Sequence, residues 1–182
     1  MIRAIGMVEF YSIARGIEVA DQMLKAANVE LLLSSATCPG KYITLVHGDV
    51  AAVENSVNAA VRLGGEFLVD YLIIPNVDEQ IFPAITGSSN VDNIRAVGVI
   101  ESFAIASLIV AADACVKAAS VDLLELRIGS GIAGKSYVVL TGDVSDVNAS
   151  VKAGVEIIKD TGNIVCYTVI PSPHADFKRT LL

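Results

Sequence analysis

The stretch "SSATCPGKYITL", residues 34–45, places Cys38 in a Pro-Gly turn just before a strand-like run. A thiolate is a soft metal donor. Pro39 and Gly40 favour a tight turn that exposes backbone N–H groups, and Lys41 brings a positive charge beside it. Within one chain no second ligand accompanies Cys38, so the plain alternative is a free thiol at a loop–strand junction. The other cysteines, Cys115 and Cys166, lie far off in sequence, and no CxxC, HExxH or paired-histidine spacing occurs. Three scattered cysteines are too few for a disulfide framework. Cys115 reads as a small core or interface residue, and Cys166 as part of a last strand. His47 ends a strand before "GD" and reads as a surface or capping residue. Glu9 and Glu101 recur in like contexts and suit a structural hydrogen bond better than catalysis.

What positions Cys38 is a chain written twice. "AIGMVE" at residues 4–9 recurs as "AVGVIE" at 96–101. Ala20-Asp21 matches Ala112-Asp113, and Lys25-Ala26-Ala27 matches Lys117-Ala118-Ala119. The second copy then gains two residues, so Gly40-Lys41 answers to Gly134-Lys135 and Gly48-Asp49-Val50 to Gly142-Asp143-Val144. Near the ends Ile74-Pro75 pairs with Ile170-Pro171.

Each copy reads strand, helix, strand, strand, helix, strand. Ile13, Ile17, Ala20, Leu24 and Ala27 step by four and three along one face of a helix, as do Ile105, Ile109, Ala112, Val116 and Ala119. "VELLLSS", "YITLVH" and their counterparts are β-rich. Asp49 and Asp143 are placed to cap the second helix of each copy. This order is the α+β, ferredoxin-like split βαβ arrangement, with helices on one face of an antiparallel sheet. The Gly/Ser/Asn-rich stretch "PAITGSSNVDN" separates domain 1–90 from domain 91–182.

The bulk numbers narrow the function classes. The 182 residues are 53% hydrophobic but only 5% aromatic, a mix that suits helix–sheet packing or a large subunit interface. No segment reaches the ~18 apolar residues of a spanning helix, so no membrane partner is expected. The start of the chain, with Arg3 and then Glu9 breaking a short apolar run, does not read as a secretory signal, and a reducing, cytoplasmic home is expected. A formal charge of −7 argues against nucleic acid.

The repeated pieces "AIGMVE", "VADQMLKAANVEL", "GKYITLVHGDV" and the terminal "VIPSPH" resemble the shell proteins of bacterial microcompartments. The resemblance spans the whole chain and points to the tandem-domain, trimer-forming class. "TCPGK" is most similar to the T-type shell proteins of propanediol-utilisation compartments. It implies a homotrimer that forms a pseudohexameric tile and packs laterally with other shell proteins. The loop before "GK" then faces the pore, through Thr37, Cys38, Pro39, Gly40 and Lys41 in copy one and through Ser130 and Gly131 in copy two. A threefold axis gathers three copies of Cys38, and the resemblance implies one 4Fe–4S cluster there, with three Cys38 ligands and a fourth ligand from outside the protein. Such a centre would serve electron transfer or cluster delivery across the shell, with encapsulated redox enzymes as possible partners. The alternative is a metabolite-gating pore without a cluster.

The resemblance also places Lys25, Lys117 and His174 on the tile edge. Where the family's second edge motif carries arginine, this chain has Ser172 and, in copy one, Asn76, so lateral packing is expected to be weaker or differently paired. A ferredoxin-like enzyme is disfavoured, because no convergent acid–base or nucleophile–base set is present. A nucleotide-binding regulator lacks a glycine-rich phosphate loop.

Overall fold

The computed structural model describes residues 4–129 and 131–181, and the chain divides between Val77 and Asp78 into two units. The first holds β1 (Ala4–Phe10), α1 (Ile13–Ala26), β2 (Glu30–Thr37), β3 (Lys41–Gly48), α2 (Val50–Gly64) and β4 (Leu68–Pro75). The strands pair antiparallel in the order β2-β3-β1-β4. Alternation along β1 sends Gly6, Val8 and Phe10 toward the helices, where Val53 and Val57 of α2 meet Gly6. Ser12 caps α1 by accepting the Arg15 N–H at 3.3 Å.

The second unit repeats this with β5 (Ala96–Ser102), α4 (Ile105–Ala118), β6 (Val121–Ile128), β7 (Ser136–Gly142), α5 (Val144–Ile158) and β8 (Ile164–Ile170). Its sheet order is β6-β7-β5-β8, again antiparallel throughout. The α+β split βαβ arrangement expected from the sequence is therefore present in both copies.

Two short helices were not expected, α3 (Ile81–Thr86) and α6 (Ala175–Lys178). Gly87, left-handed at φ 69°, ends α3. The sequence puts the boundary at residue 90, whereas residues 78–90 group with the second unit because α3 packs on β6. The Gln80 side chain fastens it there: its amide N–H donates to the Val121 carbonyl (3.1 Å) and its oxygen accepts the Leu123 N–H (2.9 Å).

Two local expectations need correction. Asp49 and Asp143 hold the N-cap positions of α2 and α5, yet neither side chain makes a capping bond; Asp143 pairs with Arg95 at 2.6 Å instead. The stripe Ile13–Ile17–Leu24 on α1 is exposed, and Gly16, Val19, Ala20 and Met23 are the face that packs on the sheet. In α4 the counterparts Ile105 and Ile109 are buried.

Candidate functional site

Thr37 ends β2 opposite Lys41, the first residue of β3, and Cys38, Pro39 and Gly40 turn between them. The Gly40 N–H donates to the Thr37 carbonyl at 2.9 Å, with a cis Cys38–Pro39 peptide and Gly40 at φ 87°, a left-handed backbone that suits glycine. Cys38 is half-buried, while Pro39 and Gly40 are exposed. Beneath the turn the Thr37 hydroxyl is buried and has no hydrogen-bond partner.

The two supporting features expected around Cys38 are both engaged elsewhere. Proline has no N–H, and the Gly40 N–H is held within the turn, so the turn offers fewer free donors than the Pro-Gly pattern implies. The Lys41 ammonium lies 3.1 Å from the carboxylate of buried Glu9, so its charge is already paired. Copy two repeats this pair as Lys135–Glu101 at 2.6 Å. Glu9 and Glu101 thus anchor the strand that leaves each loop, a role the sequence shows only as a recurrent Glu and a recurrent Gly-Lys.

The second loop carries Gly129, Gly131 and Gly134 at positive φ, with Ala133 also left-handed at φ 54°; Ser130 lies outside the described residues. Cys115 is buried against Gly154, and burial pushes its thiol up to about 12. Cys166 is exposed on β8, opposite Glu101 of β5. Neither cysteine shares a cluster with Cys38: among the described residues no group of three or more His, Cys, Asp or Glu could hold a metal ion within one chain.

His47 is half-buried, 4.0 Å from the Glu30 carboxylate. Lys25 pairs with Asp21 on α1, and Lys117 pairs with buried Asp113 at 2.6 Å on α4. His174 is exposed and caps α6, its Nδ1 accepting the Asp176 N–H at 3.2 Å. Asn76 (φ 55°) and Ser172 are both exposed. The sequence reading missed a polar group on the second sheet. There the Tyr137 O–H donates to Glu125 at 2.8 Å and Arg127 pairs with the same carboxylate at 2.6 Å. Burial and that hydrogen bond push the tyrosine up. Among the described residues no helix is long and apolar enough to cross a membrane.

Comparison with known proteins gives one consistent result. The model of the BMC domain matches twice, at residues 4–77 and 96–173. The chain is 44% identical to the bacterial microcompartment shell protein PduT of Citrobacter freundii, over 100% of this chain and 99% of that one. Shell protein PduA of the same organism is 38% identical over 48% of this chain and 91% of its own length. Among solved structures, a microcompartment protein from Desulfitobacterium hafniense superimposes with a TM-score of 0.93 at 53% identity, covering 98% of this chain and 99% of that one.

Proposed function

The chain belongs to the BMC-domain family, with two of its domains in tandem, and from that premise we propose that it is a structural shell subunit of a bacterial microcompartment, in the cytoplasm, that carries a 4Fe–4S cluster. Its full-length likeness to a shell protein supports the first part. The second rests on one observation: Cys38 stands half-buried in the turn between β2 and β3, and among the described residues no group of three or more His, Cys, Asp or Glu could hold a metal ion within one chain. A centre there requires several chains, and a homotrimer supplies three thiolates on one axis.

In that trimer each Cys38 thiolate would hold one iron, and the fourth iron would take a non-protein ligand. The bound cluster supplies one-electron chemistry, for electron transfer across the shell or for delivery to encapsulated redox enzymes. The chain's own residues present the thiol. Gly40 closes the turn on Thr37, and Glu9 fixes Lys41 at the base of β3, so Cys38 is held outside the sheet. The buried Thr37 hydroxyl, which lacks a protein acceptor, lies next to the ligand in sequence. Lys25, Lys117 and His174 are the edge residues through which the tile would meet other shell proteins.

The paired Lys41 and the occupied Gly40 N–H favour a second reading, a cysteine-lined pore that gates a metabolite without a cluster. Iron and acid-labile sulfide decide between them, measured on anaerobically purified wild type and Cys38→Ser beside the mass of each assembly. About four of each per trimer in wild type, lost in the variant with the mass unchanged, is the expected result. No iron after attempted reconstitution overturns the cluster and leaves the pore.

A further inference from the structure

β4 and β8 hold the same place in the two copies, as an outer strand of each sheet, yet only one of them is guarded. The Tyr11 N–H donates to the Phe67 carbonyl and the Phe103 N–H to the Asn163 carbonyl, at 3.1 and 2.8 Å. Alternate residues before them therefore turn their backbone groups to the outer strand. In β1 these are Glu9 and Met7, opposite Asp70 and Leu72; in β5 they are Glu101 and Val99, opposite Cys166 and Thr168. The residues between, Tyr71 in β4 and Tyr167 in β8, present N–H and C=O to the open edge.

In copy one that edge is blocked. Asp70 Oδ1 accepts the Tyr71 N–H at 2.8 Å and sets a charge on the strand, a device that opposes edge-to-edge pairing. In copy two the counterpart of Asp70 is Cys166, and no residue of β8 (IVCYTVI) is charged. The Cys166 thiol turns to the Tyr167 carbonyl at 3.8 Å, a weak donor, and leaves the Tyr167 N–H uncapped. Tyr167 is 55% exposed and Val165 37%.

Outward from Tyr167 the strand has the same character in both directions: Cys166 and Thr168 are small, Val165 answers to Val169, and Ile164 to Ile170. A second β8 laid antiparallel about Tyr167 sets like opposite like, with a tyrosine pair flanked by β-branched pairs that stabilise a ladder. Charge agrees with this register. Tyr167 and Val169 line a groove of about 580 Å³ with Val151, Lys152, Val155 and Glu156 of α5. A two-fold axis at Tyr167 lays the two α5 helices antiparallel and brings Lys152 of each copy toward Glu156 of the other. An isologous contact needs such self-complementarity. The same operation on β4 would place two Asp70 carboxylates at diagonal positions about 7 Å apart, where they repel.

We infer that β8 is a self-pairing edge: two copies of this chain join β8 to β8, antiparallel about Tyr167, so that two four-stranded sheets run on as one. The contact joins chains in pairs and is separate from the trimer proposed above; in that trimer it links one ring to another.

The test uses the full chain. Sedimentation velocity over a concentration series compares wild type, Cys166→Asp and Cys166→Ser, with circular dichroism to confirm folding. Cys166→Asp gives copy two the guard of copy one. Wild type and Cys166→Ser are expected to reach twice the mass of Cys166→Asp, with unchanged spectra. In parallel, Thr168→Cys on a Cys38→Ser background is oxidised with diamide. In the inferred register Cys166 stands opposite position 168 of the second copy in a non-hydrogen-bonded pair, with Cα atoms about 4.5 Å apart, within reach of a disulfide. Non-reducing electrophoresis is expected to show two chains joined, and no such product when Cys166→Ser is added. Equal masses for wild type and Cys166→Asp at every concentration, with no joined chains, overturn the pairing and leave the trimer standing. Growth to no fixed mass, with joined chains whether or not Cys166 is present, is unspecific edge aggregation and overturns it as well.

Discussion

Lysine and glutamate at the foot of each loop differ in how deeply they lie, and that difference has a measurable size. Glu9 is almost fully buried beside Lys41, whereas Glu101 beside Lys135 is about a quarter exposed. Removing one partner of a buried pair leaves a charge without its counterion, at a cost of about 3 kcal/mol when burial is complete. Lys41→Ala should therefore lower the urea midpoint more than Lys135→Ala, and Glu9→Gln should cost less than Lys41→Ala, because no carboxylate is then left uncompensated. Cys115 sets a second expectation. Burial pushes its thiol up to about 12 from an ordinary 9.0, so the unfolded chain loses the proton first. The stability it contributes is complete below pH 9 and is lost as pH rises toward 12. The pH profile of wild type, minus that of Cys115→Ala, should fall across that window. Cys38 was legible as a candidate only through the resemblance to trimeric shell proteins, because its turn alone reads equally as a free thiol at a loop–strand junction. Its surroundings were not, because the Glu9–Lys41 pair forms only once β1 and β3 are in register, with Glu9 opposite Ile43.

Helix and sheet meet differently in the two copies, and the difference is complementary. In copy one a small residue on the helix, Gly16, lies against a large one on the strand, Tyr42: a Cβ added to Gly16 would come within 2.5 Å of the Tyr42 Cβ. In copy two the sizes are exchanged, with buried Leu108 on the helix and buried Ser136 on the strand. Tyr42 also joins Ser34 and Thr44 in a chain of hydroxyls at 3.0 and 3.1 Å, where copy two has Leu126 and Val138. Gly16→Leu alone should overpack copy one by about 1–3 kcal/mol. Adding Tyr42→Ser should recover part of that loss, giving a favourable coupling energy in a double-mutant cycle of urea unfolding. The strand and helix pattern was legible because the duplication repeats each period. The direction of the α1 stripe was not: Ile13, Ile17 and Leu24 have the spacing of a core face, and apolarity alone does not say whether a face meets its own sheet or another chain. The short helices α3 and α6 escaped notice because four to six residues are too few to show a helical period.

For the molecule as a whole, the proposed trimer and its tiling make separate predictions. Lys25 and Lys117 stand on α1 and α4, each paired within its own helix. Replacing both with alanine should leave the trimer mass unchanged and abolish extended sheets in electron micrographs; sheets that persist would move the tile edge elsewhere. The two loops that differ between the copies carry a consequence of number. A ring of single-domain subunits repeats each lining residue once per domain, so its count is fixed by the ring and every position is alike. A doubled chain uncouples the two. In the proposed trimer its Cys-Pro-Gly turn and its glycine turn would alternate around the opening, and a side chain written into one copy alone would appear half as often. In that trimer duplication would turn six identical groups into three, the number of thiolates that the proposed cluster takes from the protein.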